Sequence, residues 1–263
     1  MRITVLGKSP AWQDAGGACS GYLVEAEGLT LLLDCGCGVF AKLRRVVDYT
    51  DVDVVLITHL HADHMLDLVP FASALTYAPR QQPVPVGGHP GTDTPACPRL
   101  IAPYGAAECF DRVAAGTGMR PGHVQNAFRL EEYGPQDAFD LGPLDARFVR
   151  VPHFVETNAV ELREGERRFT FSADCAPNDP LCEFAAGTDL LLIEATLPRP
   201  EREGLRGHLT PGEAGDHGRR AAARRLVITH ISDEMDEGWA RGEAESAFGG
   251  PVDVAHEGDV FVV

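Results

Sequence analysis

The sequence predicts an α/β fold in which buried strands are covered by helices. Two almost wholly apolar runs, 52–58 (VDVVLIT) and 189–195 (DLLLIEA), have the length and composition of strands buried on both faces. Segments 106–116 (AAECFDRVAAG) and 211–224 (PGEAGDHGRRAAAR) have the residue pattern of helices. Strands of this kind lie in the middle of a sheet, so helices must cover them.

The first third of the chain predicts three short strands in succession. Segments 3–6, 21–26 and 29–34 are apolar, and glycine-rich turns separate them, which indicates an antiparallel meander. A helix is predicted over 39–47 (VFAKLRRVV), directly before the buried run 52–58. The rest of the chain adds strands at 146–151, 158–164, 167–173, 225–230, 252–256 and 259–263.

Two strand-rich halves, each ending in a helix, indicate an internal duplication. Residues 79–103 interrupt them with a dense run of proline and glycine, and we predict a surface loop there apart from the brief PVPV at 83–86. With 263 residues, 44% of them hydrophobic, the chain is long enough for one large core. We therefore expect a single domain over 1–263.

The charge of the chain restricts its binding partners, and its cysteine content restricts its cellular compartment. Lys and Arg number 23 against 39 Asp and Glu, and the net charge of -16 disfavours extended nucleic-acid binding. No apolar run is long enough for a membrane span, and the start reads as a strand rather than a leader. Seven cysteines without a CxxC spacing favour free thiols in a reducing compartment. We expect a cytoplasmic protein with a small anionic substrate.

The segment from Thr58 to His64 carries the strongest functional signal. It follows a buried strand and places three imidazoles and one carboxylate, those of His59, His61, Asp63 and His64, within six residues. In an extended stretch, the side chains of His59 and His61 project to the same side of the chain. A helix that starts near Asp63 turns the side chains of Asp63 and His64 in an adjacent direction, so two neighbouring sets of ligands result. Neutral imidazole and carboxylate are ligands of zinc and similar ions, so the segment predicts a metal site.

This segment resembles the HxHxDH signature of the metallo-β-lactamase superfamily, a resemblance that implies a four-layer αββα sandwich and two divalent metal ions. The family pattern continues downstream in VPHF, SADC and VITH, which carry His153, Asp174 and His230. The resemblance assigns His59, His61, His153 and Asp174 to one ion, and Asp63, His64, Asp174 and His230 to the other. Zinc suits these ligands, and Mn²⁺ or Fe²⁺ would tolerate the same donors.

Three further residues take roles from the same resemblance. Asp34, in LLLDCG, is similar to the early aspartate that supports the histidine loop without binding metal. Glu194, in IEAT, and His208, in HLT, resemble the hydrogen-bonded pair of the ribonuclease Z branch, in which the histidine can protonate the leaving oxygen. Asp63 would orient a hydroxide that bridges the two ions.

The tRNA-processing members carry a long arm between the third histidine and the bridging aspartate, whereas His153 and Asp174 are only 21 positions apart here. The chain is more similar to small armless bacterial relatives, some of which are cyclic-nucleotide phosphodiesterases. We therefore expect hydrolysis of a cyclic-nucleotide or short nucleic-acid phosphodiester. A thioester or lactone hydrolase of the same fold is the main alternative, ahead of a tRNA 3' endonuclease or a non-enzymatic metal-binding protein. Because relatives of this fold often form dimers, a homodimer is one expected assembly of this chain.

Four histidines lie outside these motifs and are expected to be solvated or structural: His89, His123, His217 and His256. His89 is the partial exception, because its loop could fold over the mouth of the metal site.

Overall fold

The computed structural model describes residues 1–85 and 87–263, and in this part of the chain two seven-stranded sheets pack face to face. The first sheet contains, in spatial order, β14 (Val260–Val262), β1 (Arg2–Gly7), β2 (Gly21–Ala26), β3 (Leu29–Leu33), β4 (Val54–Leu56), β5 (Arg99–Pro103) and β6 (Arg129–Tyr133). The second contains β13 (Val252–Val254), β12 (Leu226–Thr229), β11 (Leu190–Glu194), β10 (Arg167–Phe171), β9 (Thr157–Glu164), β8 (Asp145–Val151) and β7 (Ala138–Asp140).

The two sheets repeat one pattern of strand pairing. In the first, β14, β1, β2 and β3 pair antiparallel, and β3, β4, β5 and β6 pair parallel. In the second, β7 to β10 pair antiparallel and β10 to β13 pair parallel. This repetition is what the predicted duplication requires. The expected meander is also present, as the first three strands.

The helices form the outer layers: α1 (Val39–Leu43), α2 (Ala62–Met65), α3 (Leu68–Tyr77), α4 (Ala106–Gly116), α5 (Asp179–Phe184), α6 (Pro211–Arg220) and α7 (Glu237–Phe248). Side chains of α1, α3 and α4 share one apolar cluster with the first sheet, and those of α5, α6 and α7 share another with the second. The result is the predicted four-layer order of helix, sheet, sheet and helix. Within the described residues, no helix combines the length and the apolar content needed to cross a membrane.

The core between the sheets follows from the alternation of side chains along each strand. In β4, Val54 and Leu56 enter the cluster between the sheets, while Val55 faces the helices. Strands β4 and β11 are therefore buried on both faces, as their apolar sequences predicted. Across the interface, Tyr22 packs edge-on against Phe171 at 5.0 Å between ring centroids, and its hydroxyl lies 2.8 Å from Thr229 Oγ1.

The prediction of a surface loop over the whole of 79–103 was wrong at its end. Arg99–Pro103 is strand β5, and its residues Leu100 and Ile101 are fully buried between β4 and β6. Only three consecutive apolar residues mark this strand, and the prolines at 98 and 103 concealed it. Of the PVPV segment, Val86 lies outside the described residues.

Other boundaries also differ from the sequence prediction. The helix expected over 39–47 ends at Leu43, and the one expected over 211–224 ends at Arg220. Helices α3, α5 and α7 and strands β6 and β7 were not predicted, because they are short or lack a strong apolar period.

Gly36 lies at the close contact between the loop after β3 and the metal-motif segment. An added Cβ would overlap the carbonyl oxygen of Asp63, a backbone atom that cannot rotate away. We therefore expect Gly36→Ala to lower the free energy of unfolding by about 2–3 kcal/mol, measured by urea denaturation. Gly116→Ala is the control, because its added methyl group meets no atom of the described residues within 4 Å. Equal effects of the two substitutions would contradict this packing argument.

Candidate metal centre

The ligand-type residues lie where strands of both sheets end. Asp34 follows β3, Glu194 is the last residue of β11, and His230 follows β12 directly. His153 lies two positions beyond β8, and Asp174 lies three beyond β10. Because these strands end at the same edge of the sandwich, the fold brings side chains from distant parts of the sequence together there.

Backbone strain marks the same edge. Asp34, Ala173 and His230 have positive φ angles of 58°, 51° and 58°, a conformation that costs about 1–2 kcal/mol for a residue with a Cβ. Each turns the chain sharply at the end of its strand. Asp34 and His230 are thereby directed inward, and Ala173 turns the chain immediately before Asp174.

The structure brings all seven predicted metal residues together in two adjacent groups. His59, His61 and His153 form one group, and Asp63, His64, Asp174 and His230 form the other. Within each group, one ligand-type atom per residue lies within 4.8 Å of all the others. The first group faces partly toward solvent, and the second is buried.

Asp174 lies at the centre of both groups. Its Oδ2 atom is 3.3 Å from His64 Nε2 and 3.6 Å from His230 Nε2 in its own group. The same atom is 3.8 Å from His59 Nε2 and 3.9 Å from His153 Nε2 in the other group. A carboxylate in this position is able to contact cations on both sides.

Three imidazoles are each held by a hydrogen bond to the ring nitrogen that points away from the centre of the cluster. His64 Nδ1 donates to Asp34 Oδ2 at 2.7 Å, and His153 Nδ1 donates to the carbonyl of Gly207 at 2.7 Å. His59 Nδ1 lies 3.1 Å from the hydroxyl of Thr58. These contacts fix the tautomers and direct each Nε2 to the centre.

His230 is held in the same way through Thr196. Its Nδ1 lies 2.8 Å from Thr196 Oγ1, which in turn donates to Glu194 Oε2 at 2.7 Å. Thr58 similarly donates to Asp34 at 2.9 Å. Both threonines thus connect an imidazole to a buried carboxylate.

The side chains at the centre have the unmet bonding capacity that a metal ion would satisfy. His59 Nε2, His64 Nε2 and Asp174 Oδ1 are buried and have no hydrogen-bond partner in the part of the chain that the structure describes. Such atoms are costly in a folded protein unless something else binds them. His61 Nδ1 also lies only 3.1 Å from His153 Nε2, as expected for two nitrogens that bind one cation. The donor set of imidazole nitrogens and carboxylate oxygens therefore fits divalent metal ions.

The electrostatics of the cluster are consistent with that fit. Burial lowers the pKa values of His59, His61 and His153, which keeps these imidazoles neutral, as metal ligands must be. Burial acts in the same direction on His64, but the flanking carboxylates of Asp174 and Asp34 raise its pKa well above the usual value. The carboxylates of Asp34 and Asp174 thus favour a positive charge between them.

Asp63 and Asp174 remain ionised despite their burial. Burial raises the pKa of Asp63, but its hydrogen bond from His230 and the nearby imidazoles lower it to about 2. Burial also opposes ionisation of Asp174, and His230 and His64 hold its pKa well below the usual range.

Glu194 and His208 form the predicted pair at one side of the cluster. His208 Nδ1 donates to Glu194 Oε1 at 3.0 Å and lies 3.9 Å from Asp174 Oδ2. Glu194 is fully buried, and it also accepts from the backbone N–H groups of Cys175 and Thr196. Burial lowers the pKa of His208, but Glu194 and then Asp174 outweigh this effect and raise it to about 9.

The remaining histidines have other environments. His123 contacts Ser73, His217 contacts the carbonyl of Glu213, and His256 lies between Glu237 and Asp259. His89 lines a surface cavity with Arg44, Asp48 and Arg80. The seven cysteines are unpaired, as predicted.

The groups that hold the imidazoles from behind were not predicted from the sequence. Thr58 and Thr196 lie within the quoted motifs, but a threonine just beyond the end of a strand gives no signal of this role. Gly207 acts through its carbonyl oxygen, which no sequence pattern identifies.

Comparison with known proteins shows relatives along the whole chain. A family model described as "Beta-lactamase superfamily domain" matches residues 30–231. The "Probable metallo-hydrolase YhfI" of Bacillus subtilis is 27% identical over 265 residues, covering 99% of each chain. A ribonuclease Z of Myxococcus xanthus is 30% identical over 297 residues, covering 98% of this chain and 96% of the relative.

The crystal structure of the metallo-beta-lactamase fold protein YhfI from Bacillus subtilis has the same architecture. Its TM-score is 0.82 at 25% sequence identity, and the match covers 99% of both chains. The resemblance noted in the sequence is thereby confirmed. Since the family model spans most of the chain and the similarity of fold extends over nearly all of it, this chain belongs to the beta-lactamase superfamily and has the metallo-β-lactamase fold.

Proposed function

We propose that the chain is a metal-dependent phosphodiesterase that acts on small or short-chain phosphodiesters. The observation that carries this proposal is the Glu194–His208 pair beside the histidine–aspartate cluster. Hydrolysis of an ester of phosphate releases an alkoxide, and an imidazole backed by a carboxylate is suited to protonate it. The similarity to a ribonuclease Z along nearly the whole chain supports the same substrate class.

Two divalent ions would be held by the two groups that share Asp174. His59, His61 and His153 would bind one ion, and Asp63, His64 and His230 would bind the other. When bound, such ions supply a water of lowered pKa and polarise a phosphoryl oxygen of the substrate. Zinc fits the donors, and Mn²⁺ or Fe²⁺ fits them as well.

The protein's own groups then position and move protons. Asp63 is ionised and lies at the rim of the buried group, so its carboxylate accepts a hydrogen bond from the attacking water. His208 uses Nδ1 to donate to Glu194, which leaves Nε2 free to protonate the leaving oxygen. Glu194 keeps His208 in this tautomer and raises its basicity.

The shape of the chain supports a small substrate. Residues 153–174 contain only the hairpin of β9 and β10, in which Glu164 and Arg167 pair across a two-residue turn. This segment therefore offers no arm for a folded RNA. The net charge of -16 also opposes a long polyanion, whereas the metal ions would attract a single phosphodiester.

The protonation of His208 sets an expected pH dependence. Because its pKa is raised from 6.5 to about 9, the imidazole is protonated at neutral pH and loses its proton as the pH rises through about 9. We expect kcat for a dinucleotide to fall above pH 9. His208→Asn should remove this alkaline limb along with most of the activity. A wild-type rate that stays constant from pH 7 to 10.5 would contradict the assignment of His208 as the acid.

The decisive experiment compares substrate classes on one preparation of known metal content. Purified protein is stripped with chelator, reloaded with Zn²⁺, Mn²⁺ or Fe²⁺, and analysed by elemental mass spectrometry. Turnover is then measured with bis(p-nitrophenyl) phosphate, 3',5'-cyclic AMP, an acyl thioester and a lactone. We expect about two ions per chain and hydrolysis of the phosphodiesters. Thioester or lactone turnover without phosphodiester turnover, or failure to bind any metal, would refute the proposal.

A further inference from the structure

Phe154 places an exposed aromatic ring beside the proposed catalytic histidine. Its side chain is 52% exposed, although it follows His153 directly. The ring centroid lies 4.9 Å from that of His153 and 5.9 Å from that of His208. One part of the ring therefore packs on the site and the other part faces solvent.

The ring is held in place from behind. An added Cβ at Gly207 would overlap the Phe154 ring, so the ring rests directly on the backbone at this glycine. The carbonyl of the same residue accepts the hydrogen bond from His153. The backbone that positions His153 thus also positions the neighbouring aromatic ring.

An exposed phenylalanine is unremarkable by itself, since single apolar residues occur on most protein surfaces. Here, however, the ring lies beside both a proposed metal ligand, His153, and the proposed proton donor, His208, so a substrate bound between these groups would lie next to it. An aromatic face in such a position is suited to stacking on a planar group of the substrate. Nucleobases are the planar groups that accompany biological phosphodiesters, and stacking on an aromatic side chain binds them without selecting one base.

We infer that Phe154 is a base-stacking platform that makes the enzyme prefer nucleoside phosphodiesters over base-free ones. This inference rests on the proposed phosphodiesterase function. His208 is the proposed donor to the leaving oxygen, and Phe154 lies on its side of the cluster, so the stacked base belongs to the nucleoside that is released as an alcohol. Phe154 is therefore a specificity-determining residue rather than a catalytic one.

The test uses one dinucleoside monophosphate and two of its abasic analogues as substrates of the metal-loaded enzyme. The first carries both bases, the second lacks the base on the released nucleoside, and the third lacks the base on the other nucleoside. We expect Phe154→Ala to raise KM about tenfold for the first and third, which corresponds to about 1.4 kcal/mol, and to leave KM for the second unchanged. The value of kcat should change little, because stacking binds the ground state and the transition state alike.

Two further variants separate stacking from general effects. Phe154→Trp keeps an aromatic face and should retain a KM close to that of the wild type. Tyr77→Ala removes an aromatic side chain of 63% exposure at the end of α3 and should leave all three KM values unchanged. Thermal melting of each variant monitors the fold.

The outcomes distinguish this inference from the function on which it rests. If the wild type hydrolyses neither the dinucleotides nor bis(p-nitrophenyl) phosphate, the phosphodiesterase proposal fails and this inference fails with it. If the wild type hydrolyses the dinucleotides but Phe154→Ala raises KM equally for all three, or for none, the stacking role alone is refuted. An increase of KM for the first and third substrates only supports both the phosphodiesterase proposal and the stacking role of Phe154.

Discussion

Asp174→Asn is expected to lower phosphodiester turnover by roughly 10³-fold or more and to reduce the metal content to less than two ions per chain. The substitution preserves the size of the side chain but removes its negative charge. In the structure that charge lies 3.3–3.9 Å from the Nε2 atoms of four imidazoles. No other carboxylate among the described site residues lies at the junction of the two groups, so its charge is not replaced.

The measurement is elemental analysis of the purified variant together with kcat/KM for bis(p-nitrophenyl) phosphate. Asp233→Asn provides a matched control, because Asp233 lies three positions after His230 and, among the described residues, its carboxylate accepts a hydrogen bond only from the backbone N–H of Ala15. This control should retain its metal and most of its activity. If Asp174→Asn retained two ions and near-normal turnover, the assignment of Asp174 as the shared ligand would be wrong.

The strand content and the cluster could be predicted from the sequence for a physical reason. Strands buried on both faces, such as β4 and β11, require long apolar runs that stand out from the rest of the chain. The motif from His59 to His64 places four ligand-type residues in six, which a purely structural turn does not need. Family resemblance then located His153, Asp174 and His230, which would not have been recognised as isolated residues.

The parts that could not be predicted depend on tertiary contacts. Strand β5 has only three successive apolar residues, and its place between β4 and β6 identifies it as a strand. The strained backbone at Ala173 results from the surroundings of the loop, because alanine has no preference for positive φ. The position of the Phe154 ring likewise depends on the backbone at Gly207, which is distant in sequence.

His208→Ala is expected to have an effect that depends on the leaving group. For a dinucleotide, which releases a poorly stabilised alkoxide, we expect kcat to fall about 10²- to 10⁴-fold, because the leaving oxygen loses its proton donor. For bis(p-nitrophenyl) phosphate, which releases a stable phenolate, we expect a fall of less than about tenfold. Steady-state rates with both substrates on one metal-loaded preparation measure the difference. Equal losses on both substrates would indicate that His208 binds substrate or metal instead of donating a proton.

Glu194→Gln tests the other half of the pair. Because Glu194 acts on the leaving group only through His208, the double variant should be no slower with the dinucleotide than His208→Ala alone. The N–H of Cys175 donates to Oε1 of Glu194 and the N–H of Thr196 to Oε2, so Gln keeps an acceptor for only one of the two, and the comparison retains only that part of the local hydrogen bonding. If the rate losses caused by Glu194→Gln and His208→Ala instead multiply in the double variant, Glu194 acts through His230, to which Thr196 connects it. The metal content of each variant decides between these two routes, since only the second route should weaken metal binding.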